Sequence, residues 1–117
     1  MEMKPTLDID DDGIARWMIN EKLHREDGPA YINPNGEIGW FLNGMPHRDD
    51  GPAIEYPDGV KHWYLHGDMH REDGPAFEAS DGRSFWYLKG IWYDFEEWIQ
   101  KLDCSDVDRV GLYLKWK

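Results

Sequence analysis

One period runs through this chain and excludes most folds. His24, His47 and His70 stand 23 residues apart, and so do Gly13, Gly36, Gly59 and Gly82, and Trp17, Trp40, Trp63 and Trp86. Three landmarks in one register, with no insertion between copies, describe stacked supersecondary units. The longest shared stretch is a charged heptad, His-Arg-Glu-Asp-Gly-Pro-Ala at 24–30 and 70–76 and His-Arg-Asp-Asp-Gly-Pro-Ala at 47–53.

Each unit reads as two short strands and two turns. Ala30-Tyr31-Ile32-Asn33 is a strand, followed by the Pro-Asn-Gly turn at 34–36, with Pro-Asp-Gly and Ser-Asp-Gly in the later copies. These triplets favour hairpin turns because glycine takes positive φ without strain. The aromatic runs GWFLNG, HWYLHG and FWYLKG supply the next strand, since aromatic side chains suit a pleated surface. Gly44, Gly67 and Gly90 end it. In the heptad, Asp27-Gly28 permits a left-handed residue and Pro29 forbids a ladder N–H at the next strand's start. Two strands per unit advance a sheet by about 10 Å, so the meander should span roughly 35–40 Å.

One hairpin cannot bury its own aromatics, and stacked neighbours can. Seven Trp and six Tyr carry much of the apolar mass. Trp40, Trp63 and Trp86 share one sheet face with the leucines two residues on. Phe41, Tyr64 and Tyr87 fall on the other face. A single sheet with this composition leaves one aromatic row partly open or packs it against the C-terminal segment.

The pattern Phe41-x-x-Gly44-x-x-His47 and Tyr64-x-x-Gly67-x-x-His70, with a turn glycine before the aromatic pair, resembles MORN-type repeats, which are 23-residue β-hairpins. The fuller Trp-Tyr-Leu-x-Gly-x-x-His-Arg-Glu-Asp-Gly-Pro-Ala is more similar to a MORN-like variant of small phage and large-virus proteins. The resemblance covers about residues 13–93. Here the histidine is followed by Arg-Glu-Asp-Gly-Pro, where the MORN pattern has Gly directly.

Beyond Gly90 the heptad is absent. Asp94 with Glu97 forms a capping-box pattern, and Phe95, Trp98, Ile99 and Leu102 recur at helical spacing. Ser105 and Asp108 open a second helix, with Lys115 and Lys117 late in it. The expected architecture is mainly β: an antiparallel meander of stacked β-hairpin repeats over 13–93, a helical C-terminal cap over 94–117, and an acidic N-terminal leader over 1–12.

The chemistry-bearing residues give little support to catalysis or metal binding. His24, His47 and His70 should lie about 10 Å apart along the stack, whereas zinc ligands each sit about 2 Å from one ion. His62 and His66 are four apart on a strand-like run. Asp8, Asp10, Asp12 and Gly13 match the opening of an EF-hand loop, but Ile19 stands at the twelfth position, where a bidentate Glu belongs. There is no G-x-S-x-G, no phosphate loop and no Cys–His pairing for Cys104. No enzymatic activity, cofactor or metal is expected.

The formal charge is −11, which repels a phosphate backbone and an anionic membrane alike. The natural partner is a basic protein. The heptads set Glu26, Asp27, Asp49, Asp50, Glu72 and Asp73 in a periodic row, with Arg25, Arg48 and Arg71 beside them in local charge pairs. Those six acids, with Phe41, Tyr64 and Tyr87 as aromatic anchors, are the candidate partner-binding residues. The resemblance implies an inhibitor that occludes a basic nucleic-acid-binding surface of a host defence protein, such as a CRISPR effector. The alternatives are a homodimerising assembly module and a sponge for a signalling nucleotide. A single cysteine and the lack of a signal-peptide pattern point to the cytoplasm, of the host if the protein is viral.

Overall fold

The computed structural model describes residues 3–117. Fourteen antiparallel strands and two helices follow one another in it. The strands are β1 (Thr6–Ile9), β2 (Ala15–Ile19), β3 (Lys22–Leu23), β4 (Tyr31–Ile32), β5 (Ile38–Gly39), β6 (Phe41–Leu42) and β7 (Met45–Pro46). They continue as β8 (Ile54–Glu55), β9 (Lys61–His62), β10 (Tyr64–Leu65), β11 (Asp68–Met69), β12 (Phe77–Glu78), β13 (Ser84–Leu88) and β14 (Ile91–Tyr93). Helices α1 (Phe95–Lys101) and α2 (Asp106–Trp116) close the chain. The main sheet is a hairpin meander in the order β1-β2-β4-β5-β8-β9-β12-β13-β14, with β3 also paired to β2. The molecule is a slab of 48 × 37 × 20 Å.

Four main-sheet hairpins turn on a triplet that ends in glycine. Gly36 donates to the Asn33 carbonyl at 2.9 Å, Gly59 to Tyr56 at 3.1 Å and Gly82 to Ala79 at 3.0 Å, all with φ between +90° and +103°. Gly13 makes the same bond to Asp10 at 3.0 Å. The acidic leader is therefore not outside the sheet. Its residues 6–9 form β1, paired in register with β2 from Thr6↔Met18 to Ile9↔Ala15. Asp10 opens the first of four equivalent turns, where its carboxylate accepts from Arg16 at 2.7 Å and from the Asp12 and Ile14 amides. The Arg16 bond holds the Asp10 carboxyl below the usual range. A sequence reading of one acidic tract cannot separate a strand from a tail, because the pairing partner lies on another segment.

A second departure is the bend at tryptophan. The run GWFLNG is not one strand in the middle repeats: β5 ends at Gly39, and Trp40 passes the chain to β6. β6 pairs with β7, and β10 with β11, in two-residue hairpins off the main sheet. Each central repeat thus holds four strand segments instead of two. Asn43-Gly44 and His66-Gly67 turn these side hairpins with two consecutive positive φ values, from 49° to 86°, the geometry of a type I′ turn. In the first repeat the same turn is Asn20-Glu21, with φ +52° and +64°. A glutamate there carries the left-handed cost of about 1–2 kcal/mol that glycine avoids. After glycine's larger unfolded-state entropy is subtracted, Glu21→Gly should stabilise the protein by about 0.5–1 kcal/mol. A raised urea midpoint at constant m-value is the expected observation, and a lowered one would refute the strain at this turn.

The seam between sheet and side hairpins is held by backbone bonds through Ala and Trp. Trp17, Trp40 and Trp63 donate to the carbonyls of Ala30, Ala53 and Ala76 at 2.8, 2.6 and 2.7 Å. Those alanines are fully buried, and their amides donate back to Gly39, His62 and Phe85. Successive side hairpins are stitched by Gly44 to the Leu23 carbonyl and Gly67 to Pro46.

The helices cover one end. Asp94 caps α1 with a complete capping box, and Ser105 caps α2 through the Asp108 amide. Arg109 donates to the carbonyls of Ile99, Leu102 and Cys104, tying α2 to the end of α1. Among the described residues the one buried apolar cluster gathers Trp86, Trp98, Ile99 and Leu102, with Phe95 and Trp116 packed on it.

Candidate functional site

The heptad is a structural joint before it is a surface. In every copy the arginine guanidinium sits over a tryptophan ring of its own repeat: Arg25 over Trp17 at 4.1 Å, Arg48 over Trp40 at 4.2 Å and Arg71 over Trp63 at 4.0 Å. Its Nε donates to Asp27, Asp50 or Asp73 at 2.7–3.0 Å, and its terminal nitrogen to the carbonyl of Pro29, Pro52 or Pro75 at 3.0–3.2 Å. The heptad glycine is required by this stacking and not, as the Asp27-Gly28 pair suggests, by a left-handed turn: Gly28, Gly51 and Gly74 do not take positive φ. A Cβ at Gly28, Gly51 or Gly74 would sit 2.6–2.9 Å from the guanidinium carbon.

The histidines act between repeats. His24 Nδ1 accepts from the Asn43 amide at 3.0 Å, His47 from His66 at 2.8 Å and His70 from Lys89 at 2.9 Å. Each acceptor lies 19 residues before its donor, so each histidine holds the left-handed turn residue of the following hairpin. An accepting Nδ1 puts the proton of the neutral ring on Nε2. That nitrogen turns toward Glu26 at 3.8 Å, Asp49 at 3.3 Å or Glu72 at 3.7 Å. His62 and His66 lie on different strand systems: His62 is in β9, and His66 is in the side-hairpin turn, with its ring 4.3 Å from that of His47. Among the described residues no group of three or more His, Cys, Asp or Glu is placed to hold a metal ion.

All six candidate carboxylates stand out from the turns, with side chains 65–86% exposed. Asp27, Asp50 and Asp73 each face their arginine, so each turn keeps one net negative charge with the histidine neutral. Between consecutive turns lie clefts. One is bounded by Arg25, Glu26 and Asp49 with Trp40 and Leu42 at its floor. The next, about 460 Å³, is bounded by Asp50, Glu72 and Asp73 with Trp63 and Leu65 at its floor. Sequence reasoning missed this pairing of carboxylates with the tryptophan–leucine row. The available signal was the constant eight-residue step from Trp17 to Arg25, Trp40 to Arg48 and Trp63 to Arg71.

Phe41, Tyr64 and Tyr87 belong to another surface. Cross-strand partners Tyr31, Gly39, Ile54, His62, Phe77 and Phe85 form one continuous row across the main sheet. The Phe41 ring lies against Gly39, and Tyr64 stacks on His62 at 6.0 Å. Tyr87 is two residues from Phe85 on β13 and opposite the half-exposed Trp92. The structure therefore does not bring these three rings and the six carboxylates into a common cleft. The cap helices pack on Trp86, on the opposite face, and leave the row of Phe41 and Tyr64 uncovered.

Burial depresses the His62 pKa and raises that of Tyr64. His62 Nδ1 is buried without a hydrogen-bond partner. The folded state thus resists protonation of His62 while the unfolded chain accepts a proton at about pH 6.5. The unfolded state binds more protons below that pH, so stability at this site is complete above it and falls as pH drops. The expected result is a shallower loss of melting temperature from pH 7 to 5 in His62→Phe than in the unmodified protein. An equal slope would show that the ring protonates freely in the fold.

The fold and its site define a class: a repeat-built antiparallel β protein whose turns form an acidic row and whose last repeat is closed by helices. No protein-family model, curated protein or solved structure matches the chain. Among the described residues no helix is long and apolar enough to cross a membrane.

Proposed function

We propose that this protein is a non-enzymatic, acidic protein-binding module of the MORN-like type, acting as an inhibitor that occludes a basic nucleic-acid-binding surface of a host defence protein. A CRISPR effector is an example of such a target. The observation that carries this reading is the edge of three equivalent turns, each with two exposed carboxylates and one net negative charge. A periodic row of charge on a rigid scaffold complements an elongated cationic groove and speeds encounter with it.

Glu26, Asp49 and Glu72 are the acids to test, because Asp27, Asp50 and Asp73 also support the arginines. Combined Glu26→Gln, Asp49→Asn and Glu72→Gln lower the charge from −11 to −8. Capture of basic proteins from a bacterial lysate should weaken in this variant and weaken steeply with salt for the unmodified protein. Capture indifferent to both would refute the charge reading. A second reading, a homodimerising assembly module, is favoured by Ile91 and Trp92, 56% and 55% exposed on β14. Light scattering at the mass of two chains would select it.

A further inference from the structure

The clefts between turns repeat, and one copy of that environment is filled by the chain itself. Where turn three faces Trp86, the space is taken by the cap. Trp98 and Trp116 lie 4.6 and 5.7 Å from the Trp86 ring. Trp98 Nε1 donates to the Arg71 carbonyl at 3.1 Å, and Trp116 Nε1 to the Asp73 carbonyl at 2.9 Å. Arg71 faces Trp116 at 5.5 Å. Trp116 is flanked in sequence by Lys115 and Lys117, and Lys117 pairs with Glu96.

In the first two intervals Arg48 and Arg71 cover Trp40 and Trp63 as Trp98 covers Trp86, and the place of Trp116 is what stays open: the three atoms nearest a Cβ at Gly28 or Gly51 belong to the repeat's own arginine, whereas at Gly74 Trp116 is among them. The carbonyls of Arg25, Asp27, Arg48 and Asp50 accept no hydrogen bond among the described residues. The floors are again tryptophan and leucine, and the rims carry exposed carboxylates. We infer that each of the two open clefts takes a tryptophan flanked by lysines on a segment of a basic partner protein, as the chain's own C-terminus occupies the third. The indole lies against the heptad arginine and glycine, as Trp116 does at Arg71 and Gly74, and gives its N–H to the Asp27 or Asp50 carbonyl, while the lysines meet the rim carboxylates. This inference rests on the acidic row being the binding surface and adds what that surface selects.

The test uses the full chain, isotopically labelled, with two peptide probes at low salt: acetyl-Lys-Lys-Trp-Lys-Lys-amide and the same peptide with Ala for Trp. The expected result is about tenfold tighter binding of the Trp peptide. Its indole should show nuclear Overhauser contacts to the Leu42 and Leu65 methyls. Leu65→Trp, which fills the larger cleft from within, should abolish contacts there. The contacts to Leu42 in the unmodified protein decide the matter if that variant does not fold. Equal affinity of the two peptides would overturn the cleft inference and leave charge recognition standing. Binding of neither at millimolar concentration would overturn both. A dimer that is lost on Trp116→Ala would also overturn the inference, since the occupant would then be a second copy's terminus.

Discussion

Trp98→Ala should cost about 3–5 kcal/mol, the largest single-residue loss expected in this protein. Trp98 is fully buried, packs on Trp86 and bonds the Arg71 carbonyl. Its weight follows from a missing arginine. Trp17, Trp40 and Trp63 are each covered by the arginine eight residues later. At the corresponding place after Trp86 stands Asp94, which caps α1. Trp86 therefore depends on Phe95, Trp98 and Trp116 for cover. Truncating Trp98 opens a cavity in the only buried apolar cluster among the described residues and orphans a carbonyl. A domain of this size has roughly 6–15 kcal/mol of stability in all. Urea unfolding should show the loss directly, and amide exchange should show α1 and α2 opening first. A cost under about 1 kcal/mol would mean that the sheet stands without its cap.

Arg48→Ala should cost about 2–3 kcal/mol, and Arg48→Lys should recover little of it. Arg48 is the central repeat's joint, with its side chain 23% exposed between Trp40 and Gly51. The cation–π contact contributes about 0.5–2 kcal/mol depending on desolvation. The bond to the partly buried Pro52 carbonyl is charge-assisted and adds about 1.5 kcal/mol or more. The Asp50 bond adds little, because its carboxylate is 82% exposed. Lysine keeps the charge but not the planar fork that meets Asp50 and Pro52 from above the indole. Arg83 is the control. It pairs with Asp81 at 2.8 Å but is 71% exposed, so Arg83→Ala should change stability by less than about 0.5 kcal/mol. If Arg48→Ala and Arg83→Ala behaved alike in chemical denaturation, the heptad arginine would be a surface charge only.

These two expectations show why the heptad recurs. Each copy covers the tryptophan of its own repeat through the arginine and fixes the turn of the next through the histidine. It also returns the chain from side hairpin to main sheet through the buried alanine. A unit that lost any of these would leave an indole or a left-handed turn unsupported. The exposed carboxylates are the part of the heptad that the scaffold leaves free. The proposed recognition of a basic partner therefore resides on residues that stability needs least.

The sequence by itself determined the period, the main-sheet hairpin turns and the capped helices, because each is written in contiguous residues: a Pro/Ser-Asn/Asp-Gly triplet, and Asp94 three residues before Glu97. It also placed the tryptophans and the Phe41 row on opposite faces, since alternation along a strand is local. Tertiary structure alone decided that the chain bends at Trp40 and Trp63, that residues 6–9 join the sheet, and that the clefts pair carboxylates with Trp40 and Trp63 instead of with Phe41 and Tyr64. Those outcomes depend on pairings between residues 6 to 43 positions apart, from Ile9 with Ala15 and Trp40 with His47 and Ala53 to Trp116 with Asp73. Local propensity carries no record of such partners, because they meet only once neighbouring repeats have stacked.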